Sequence, residues 1–205
     1  MSKKPLVYLD YGHYKGISGH CSPDGQIQEY AVVREIGKYL KAKLIKAGIS
    51  VSETHPEEMR LGSKSEDLSS RCIRANYNYK ADSKDHECIF VSLHTDATTL
   101  NTWSSASGCS LYICSNSSVK SKVLQSSYLK MFSYYGLLGN RVGAARINDF
   151  YVLTHTKMPA ILVENLFITN KDDCKVLSHI NEENRLVLAH FTAIRDYFMS
   201  VGAEL

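Results

Sequence analysis

The sequence predicts an α/β fold: a single domain with a mostly parallel, twisted sheet of about six strands and helices on both faces. Three observations lead there. Apolar strand-like runs alternate with helix-like segments along the chain. Two of those runs, residues 88–93 and 160–163, are almost continuously apolar, as strands covered on both faces must be. The 205 residues suit one domain of ordinary size, and no linker-like stretch divides them.

Residues 6–10 are a buried strand that runs into Asp10-Tyr11-Gly12-His13, and Ser22-Pro23-Asp24-Gly25 reads as a turn. Residues 26–47 form a helix stopped at Gly48, and 49–54 a strand stopped by His55-Pro56. A second helix is expected over 68–81, with Ser65 and Glu66 near its start, and a central strand over 88–93. A loop rich in Thr, Ser and Asn follows at 95–107, with Trp103 in its middle. Strands are then expected at 109–114, 150–153 and 160–163, and helices at 119–138, 171–177 and 182–199.

Composition excludes several classes. With 24 basic and 21 acidic residues the net charge of +3 is too balanced for an obligate nucleic-acid binder. Lys38, Lys41, Lys43 and Lys46 read as the solvated face of the first helix. No apolar run approaches the roughly 18 residues of a membrane span. The N-terminus has two lysines but no apolar signal-peptide core, so a cytoplasmic protein is expected. Its six cysteines lack a CxxC pair and read as reduced, mostly buried thiols.

In an open α/β sheet the site lies beyond the carboxyl ends of the strands. His13 follows the first apolar run, His94 the third, and Glu164 the run at 160–163. Glu29, Val33, Ile36, Leu40 and Leu44 share one helix face, on which Glu29 is the sole charged member and sits in the first turn. An inward carboxylate there needs a cation or donors to meet it. Two imidazoles and a carboxylate are a catalytic zinc set with an open fourth position: His13, Glu29 and His94 as ligands. Glu164 is then the spare carboxylate, a general base of the kind a zinc hydrolase needs.

These residues resemble the zinc-dependent N-acetylmuramoyl-L-alanine amidases of the amidase-3 family over most of the chain. Leu9-Asp10-Tyr11-Gly12-His13 resembles the family's Asp-x-Gly-His, and Glu29 its helix-borne ligand. Arg71 with Ala75-Asn76 and Val91-Ser92-Leu93-His94 follow in order. Ser107-Gly108, Arg141, Val152-Leu153 and Pro159-Ala160-Ile161-Leu162-Val163-Glu164 come next. Phe167-Ile168-Thr169-Asn170 with Asp172 stands for the family's Phe-x-x-Asn-x-x-Asp tail. Gly12-His13, Cys21-Ser22-Pro23-Asp24-Gly25 and Glu29-Tyr30 are most similar to the catalytic domains of clostridial phage endolysins. Tyr14, Thr95-Asp96 and Thr54-His55 depart from the family's usual residues.

The resemblance implies one Zn²⁺ per chain and a peptidoglycan substrate, glycan strand and stem peptide together. It implies cleavage of the amide between N-acetylmuramic acid and L-alanine, with Glu164 as base and acid. Trp103, Tyr14, Arg141 and Asp96 are candidates for the substrate groove, and Asp10 and Asp96 for partners of the zinc imidazoles. The expectation is a monomer that spans residues 1–205 as a catalytic domain without a separate wall-binding domain. It would wait in the host cytoplasm and reach the wall after holin-type release. A zinc peptidase acting within the stem peptide, a bacterial autolysin and a non-catalytic wall-binding module are the alternatives. A cysteine hydrolase using Cys21 with His20 or His94 is weaker still. His20, His55, His86, His155, His179 and His190 read as surface or loop histidines, with His155 nearest the site.

Overall fold

Strands β1 (Lys4–Tyr11), β2 (Ser50–Glu53), β3 (His86–Asp96), β4 (Ser110–Ile113), β5 (Ala145–Ile147) and β6 (Ala160–Phe167) form a sheet in the order β2-β1-β3-β6-β4-β5. The computed structural model describes residues 2–17, 20–99, 101–140 and 143–205. Strands β2, β1, β3 and β6 run parallel, β4 is antiparallel to β6, and β5 is parallel to β4. The helices are α1 (Glu29–Lys46), α2 (Lys64–Asp82), α3 (Val119–Tyr134), α4 (Tyr151–Thr154), α5 (Lys171–Leu177) and α6 (Arg185–Ser200). The mostly parallel six-stranded α/β architecture is the one expected.

The two faces of the sheet divide the core. Val7, Leu9, Ile89, Val91, Leu93, Ile161 and Val163 pack under α1, α3 and α6. Leu6, Tyr8, Cys88, Phe90, Ala160 and Leu162 pack under α2 and α4. This is the period-2 alternation of a strand buried on both sides. Helix α1 closes its face with Val33, Ile36, Leu40 and Leu44, all without solvent exposure.

Several boundaries differ for physical reasons. Helix α1 begins at Glu29 rather than Gln26, because residues 21–28 close a small hairpin: Cys21 bridges Gln28, and Ser22 donates to the Ile27 carbonyl at 2.8 Å. Helix α2 starts at Lys64 because Ser63 and Glu66 make a capping box. Helix α3 stops at Tyr134, and Gly136 beyond it takes φ +65°, the left-handed region that ends helices.

The strand expected at 150–153 is a correction: those residues lie almost entirely in the helical turn α4, and the strand is β5, at Ala145–Ile147. Val152 and Leu153 are adjacent and both buried in the same cluster. A strand would send them to opposite faces, whereas one turn of helix lets both reach the core. A second correction concerns the tail after β6. Asp172 is exposed and pairs with Lys175, while Asp173 is buried and accepts from the backbone of Gly108 and Phe167 at 3.0 and 2.9 Å.

Among the described residues no helix is long and apolar enough to cross a membrane. All six cysteines are free. Burial pushes the thiols of Cys72 and Cys88 up to about 12, which suits inert core positions.

Candidate metal centre

His13, Glu29 and His94 converge at the carboxyl end of the sheet: one ligand atom from each lies within 4.8 Å of the others. His13 Nε2 is 3.3 Å from Glu29 Oε2, and His94 Nδ1 is 3.3 Å from Glu29 Oε1. Glu29 is buried and the two imidazoles are half-buried. Burial works against ionisation of Glu29, yet hydrogen bonding from His13, His20 and His94 outweighs it and holds the carboxyl well below the usual range. Desolvation lowers the His13 pKa. At His94 burial is overcome by Glu29 and Glu164, and the pKa rises. Three basic donors crowd one carboxylate, an arrangement that a divalent cation would relieve.

The donor set fits zinc. Donors about 2.0–2.1 Å from a tetrahedral ion lie about 3.4 Å apart; each imidazole is 3.3 Å from one Glu29 oxygen, and the three ligand atoms all lie within 4.8 Å. Two nitrogens and one oxygen, with a cavity on the open side, are the catalytic rather than the structural type.

The backbone that presents His13 is braced from two helices. His13 has φ +61°, a left-handed conformation uncommon outside glycine. Its carbonyl accepts from Arg34 Nη2 at 3.3 Å and Arg71 Nη2 at 3.4 Å. Arg71, itself buried, also binds Asp10 Oδ1 at 3.0 Å and Asp67 Oδ2 at 3.1 Å, and its Nη1 donates to the Tyr11 carbonyl. Asp10 takes Thr54 Oγ1 and Ser92 Oγ as further donors, each at 2.7 Å. Burial opposes ionisation of Asp10, but Arg71 and the two hydroxyls prevail and lower its pKa. These hydrogen bonds tie Asp10 to the frame beneath the site rather than to an imidazole.

Strand register sets the fourth residue. His94 on β3 is paired with Glu164 on β6, so both side chains leave the sheet side by side on its α2 face. Both line a cavity of about 390 Å³ with His13, Tyr14, His20, Arg71, Phe150 and Tyr151. Tyr14 thus stands on the rim, with Arg60 against its ring at 5.5 Å. Asp96 lies two residues beyond His94, where its carboxylate accepts from Ala97 N at 2.9 Å. Trp103 lines a separate cavity of about 330 Å³ with Asp24, Lys171 and Cys174, its ring 5.5 Å from Lys171 Nζ. Arg141 lies outside the described residues.

Of the histidines read as surface or loop residues, His20 does lie in a loop but meets the site, and two others are buried. His20 Nδ1 sits 2.9 Å from Glu29 Oε2, and its ring lies 3.8 Å from that of His13. His55 and His190 are fully buried. The hairpin closed by Gly25 sets Cys21 opposite Gln28, which carries His20 to Glu29. The turn signature was visible, but not what it brings together.

The family model for N-acetylmuramoyl-L-alanine amidase matches residues 7–196. An endolysin of Bacillus phage SPP1 is 32% identical over 203 residues, which cover 96% of this chain and 66% of that protein. The chain thus spans just under two thirds of that relative. Among solved structures, an N-acetylmuramoyl-L-alanine amidase from Clostridium difficile 630 superposes with a TM-score of 0.79 at 24% identity, covering 98% of this chain and 100% of the other. The CwlD amidase of Clostridioides difficile, solved with the GerS lipoprotein, gives 0.78 at 20% identity, covering 97% and 100%. These two share the fold. With residues 7–196 of its 205 matched by the family model, the chain belongs to the N-acetylmuramoyl-L-alanine amidase family of the amidase-3 type.

Proposed function

We propose that the chain hydrolyses the amide bond between N-acetylmuramic acid and L-alanine in peptidoglycan, with one zinc ion held by His13, Glu29 and His94. The observation that carries this reading is the convergence of those three ligand atoms within 4.8 Å, beside Glu164, in a cavity open to substrate. When bound, zinc polarises the amide carbonyl and lowers the pKa of water to about 7.

The protein's own groups supply the rest. Glu164 takes a proton from the attacking water on its carboxylate and delivers it to the leaving amine nitrogen. Phe150, Tyr151, Leu162 and Ile17 give the cavity an apolar lining beside Lys64, suited to a stem peptide with alkyl side chains. Tyr14 borders the entrance of this cavity, whereas Trp103 lines a separate one. The SPP1 relative, an endolysin, supports a lytic role on the wall, and we propose that the protein reaches the wall through a holin-type lesion. We propose a monomeric catalytic domain without affinity for nucleic acid.

The test combines metal analysis with mass spectrometry of fragments released from purified walls. The expected result is about one zinc per chain, activity abolished by chelation and restored by zinc, and free intact stem peptides. Hydrolysis that persists without metal would overturn the scheme. Fragments cut inside the stem peptide would replace the amidase with a peptidase.

A further inference from the structure

We infer that His20 is a positioning residue for the metal site: it grips the carboxylate of Glu29 from outside the ligand set and fixes it for the cation. The inference rests on the zinc reading above. His20 touches Glu29 at two points. Glu29 N donates to the His20 carbonyl at 2.9 Å, and His20 Nδ1 donates to Glu29 Oε2 at 2.9 Å. An ionised carboxylate only accepts, so the proton lies on Nδ1. Backbone and side chain of one residue thus fix both the start of α1 and the torsions of its first side chain.

The other donors show why this grip matters. Glu29 Oε1 accepts from Thr95 N at 2.8 Å. His13 Nε2 and His94 Nδ1 also face the carboxylate, but as ligands each must present a lone pair to the cation and gives up its proton. His20 and the Thr95 amide then remain as the donors, one to each oxygen. Hydrogen-bonded ligand carboxylates of this kind tune metal affinity about 10–100-fold.

The loop is built to hold the contact. Ser22 Oγ donates to Asp24 at 2.6 Å and accepts from Ile27 N at 3.0 Å, and the Cys21–Gln28 bridge closes the hairpin directly after His20.

Zinc affinity measured by chelator competition tests the inference, with His20→Ala, His20→Asn and His13→Ala beside the unaltered chain. Asn offers an N–H near the place of Nδ1. The expected result is a 10–100-fold weaker Kd for His20→Ala, with most of the loss recovered in His20→Asn and the thermal midpoint of the metal-free proteins unchanged. The cobalt-substituted chains should keep the same d–d absorption with and without His20, as for an unchanged ligand set. Equal zinc affinity in His20→Ala overturns the inference. So does a cobalt spectrum that changes with loss of His20, because His20 would then be a ligand. Failure of the unaltered chain to bind zinc, or undiminished binding by His13→Ala, would overturn the parent reading.

Discussion

The Cα of Gly12 faces the ring of His94 so closely that a Cβ there would lie 2.5 Å from its Cε1 and Nδ1 and 2.8 Å from its Nε2. No side chain can share that space, so Gly12 sets where the imidazole stands. The sequence places Gly12 next to one proposed ligand, and the fold places it against another.

Gly12→Ala is therefore expected to displace His94 while leaving the sheet intact. Zinc Kd should rise about 10-fold or more, as when a supporting contact of a ligand is lost. Near-native circular dichroism together with weakened metal binding is the expected pair of results. Unchanged affinity would show that the ring shifts without cost to the site.

Glu164 stands beside His94 by strand register, outside the group of three ligand atoms. If it moves protons, Glu164→Gln should lower the rate of wall hydrolysis about 10²–10⁴-fold. Zinc affinity should change no more than a few-fold, since no ligand is lost. A variant that loses zinc as completely as His94→Ala would make Glu164 a holder of the ion instead.

Arg71 joins Asp10, Asp67 and the backbone of Tyr11 and His13 with little exposure to water. Removing one member of a buried ion pair typically costs about 3–5 kcal/mol, because the partner charge is stranded. Arg71→Ala should lose stability on that scale in urea titration. Adding Asp10→Asn should recover part of the loss by removing a stranded charge, a coupling that a double-mutant cycle reads directly. Arg71→Lys should remain well short of the native chain, since one ammonium cannot span the positions that the guanidinium fork reaches.

Much of the site was legible because strand ends and helix faces are periodic. His94 and Glu164 end apolar runs, and Glu29 interrupts an apolar stripe. Each could be placed from spacing alone. What was hidden depends on contacts across the fold. Strand β5 reads Ala-Arg-Ile, with its first and last residues exposed, and so has no apolar run to announce it. Val152-Leu153 looks like a strand because its residues are strand formers, yet packing under the sheet curls it into α4. His20 reaches Glu29 only through a hairpin, and Asp173 is set apart from Asp172 only by which carboxylate the Gly108 and Phe167 amides select. Histidine burial was equally hidden, since an imidazole can be a core residue or a surface one.

His190 shows the consequence. It lies fully buried on α6, with Nε2 2.7 Å from Asn165 Oδ1 and Nδ1 3.2 Å from the Tyr128 hydroxyl. The amide oxygen only accepts, so Nε2 carries a proton. Burial keeps the ring neutral, which leaves Nδ1 to accept from the Tyr128 hydroxyl. Asn165 Nδ2 in turn donates to the His94 carbonyl at 3.0 Å, which links α6 to the metal-site strand. Burial depresses the His190 pKa from 6.5 to about 3. A depressed folded-state pKa means that its contribution to stability is complete above the unfolded value and is lost as pH falls toward the folded one. Between those limits the unfolded chain binds the extra proton, at roughly 1.4 kcal/mol per pH unit. From pH 7 to pH 5 this residue alone should cost about 2 kcal/mol. His190→Gln keeps a donor toward Asn165 but does not titrate, so its urea midpoint should fall less over the same interval. Parallel midpoint shifts in the two proteins would mean that His190 is protonated in the folded state or that another group governs the acid response.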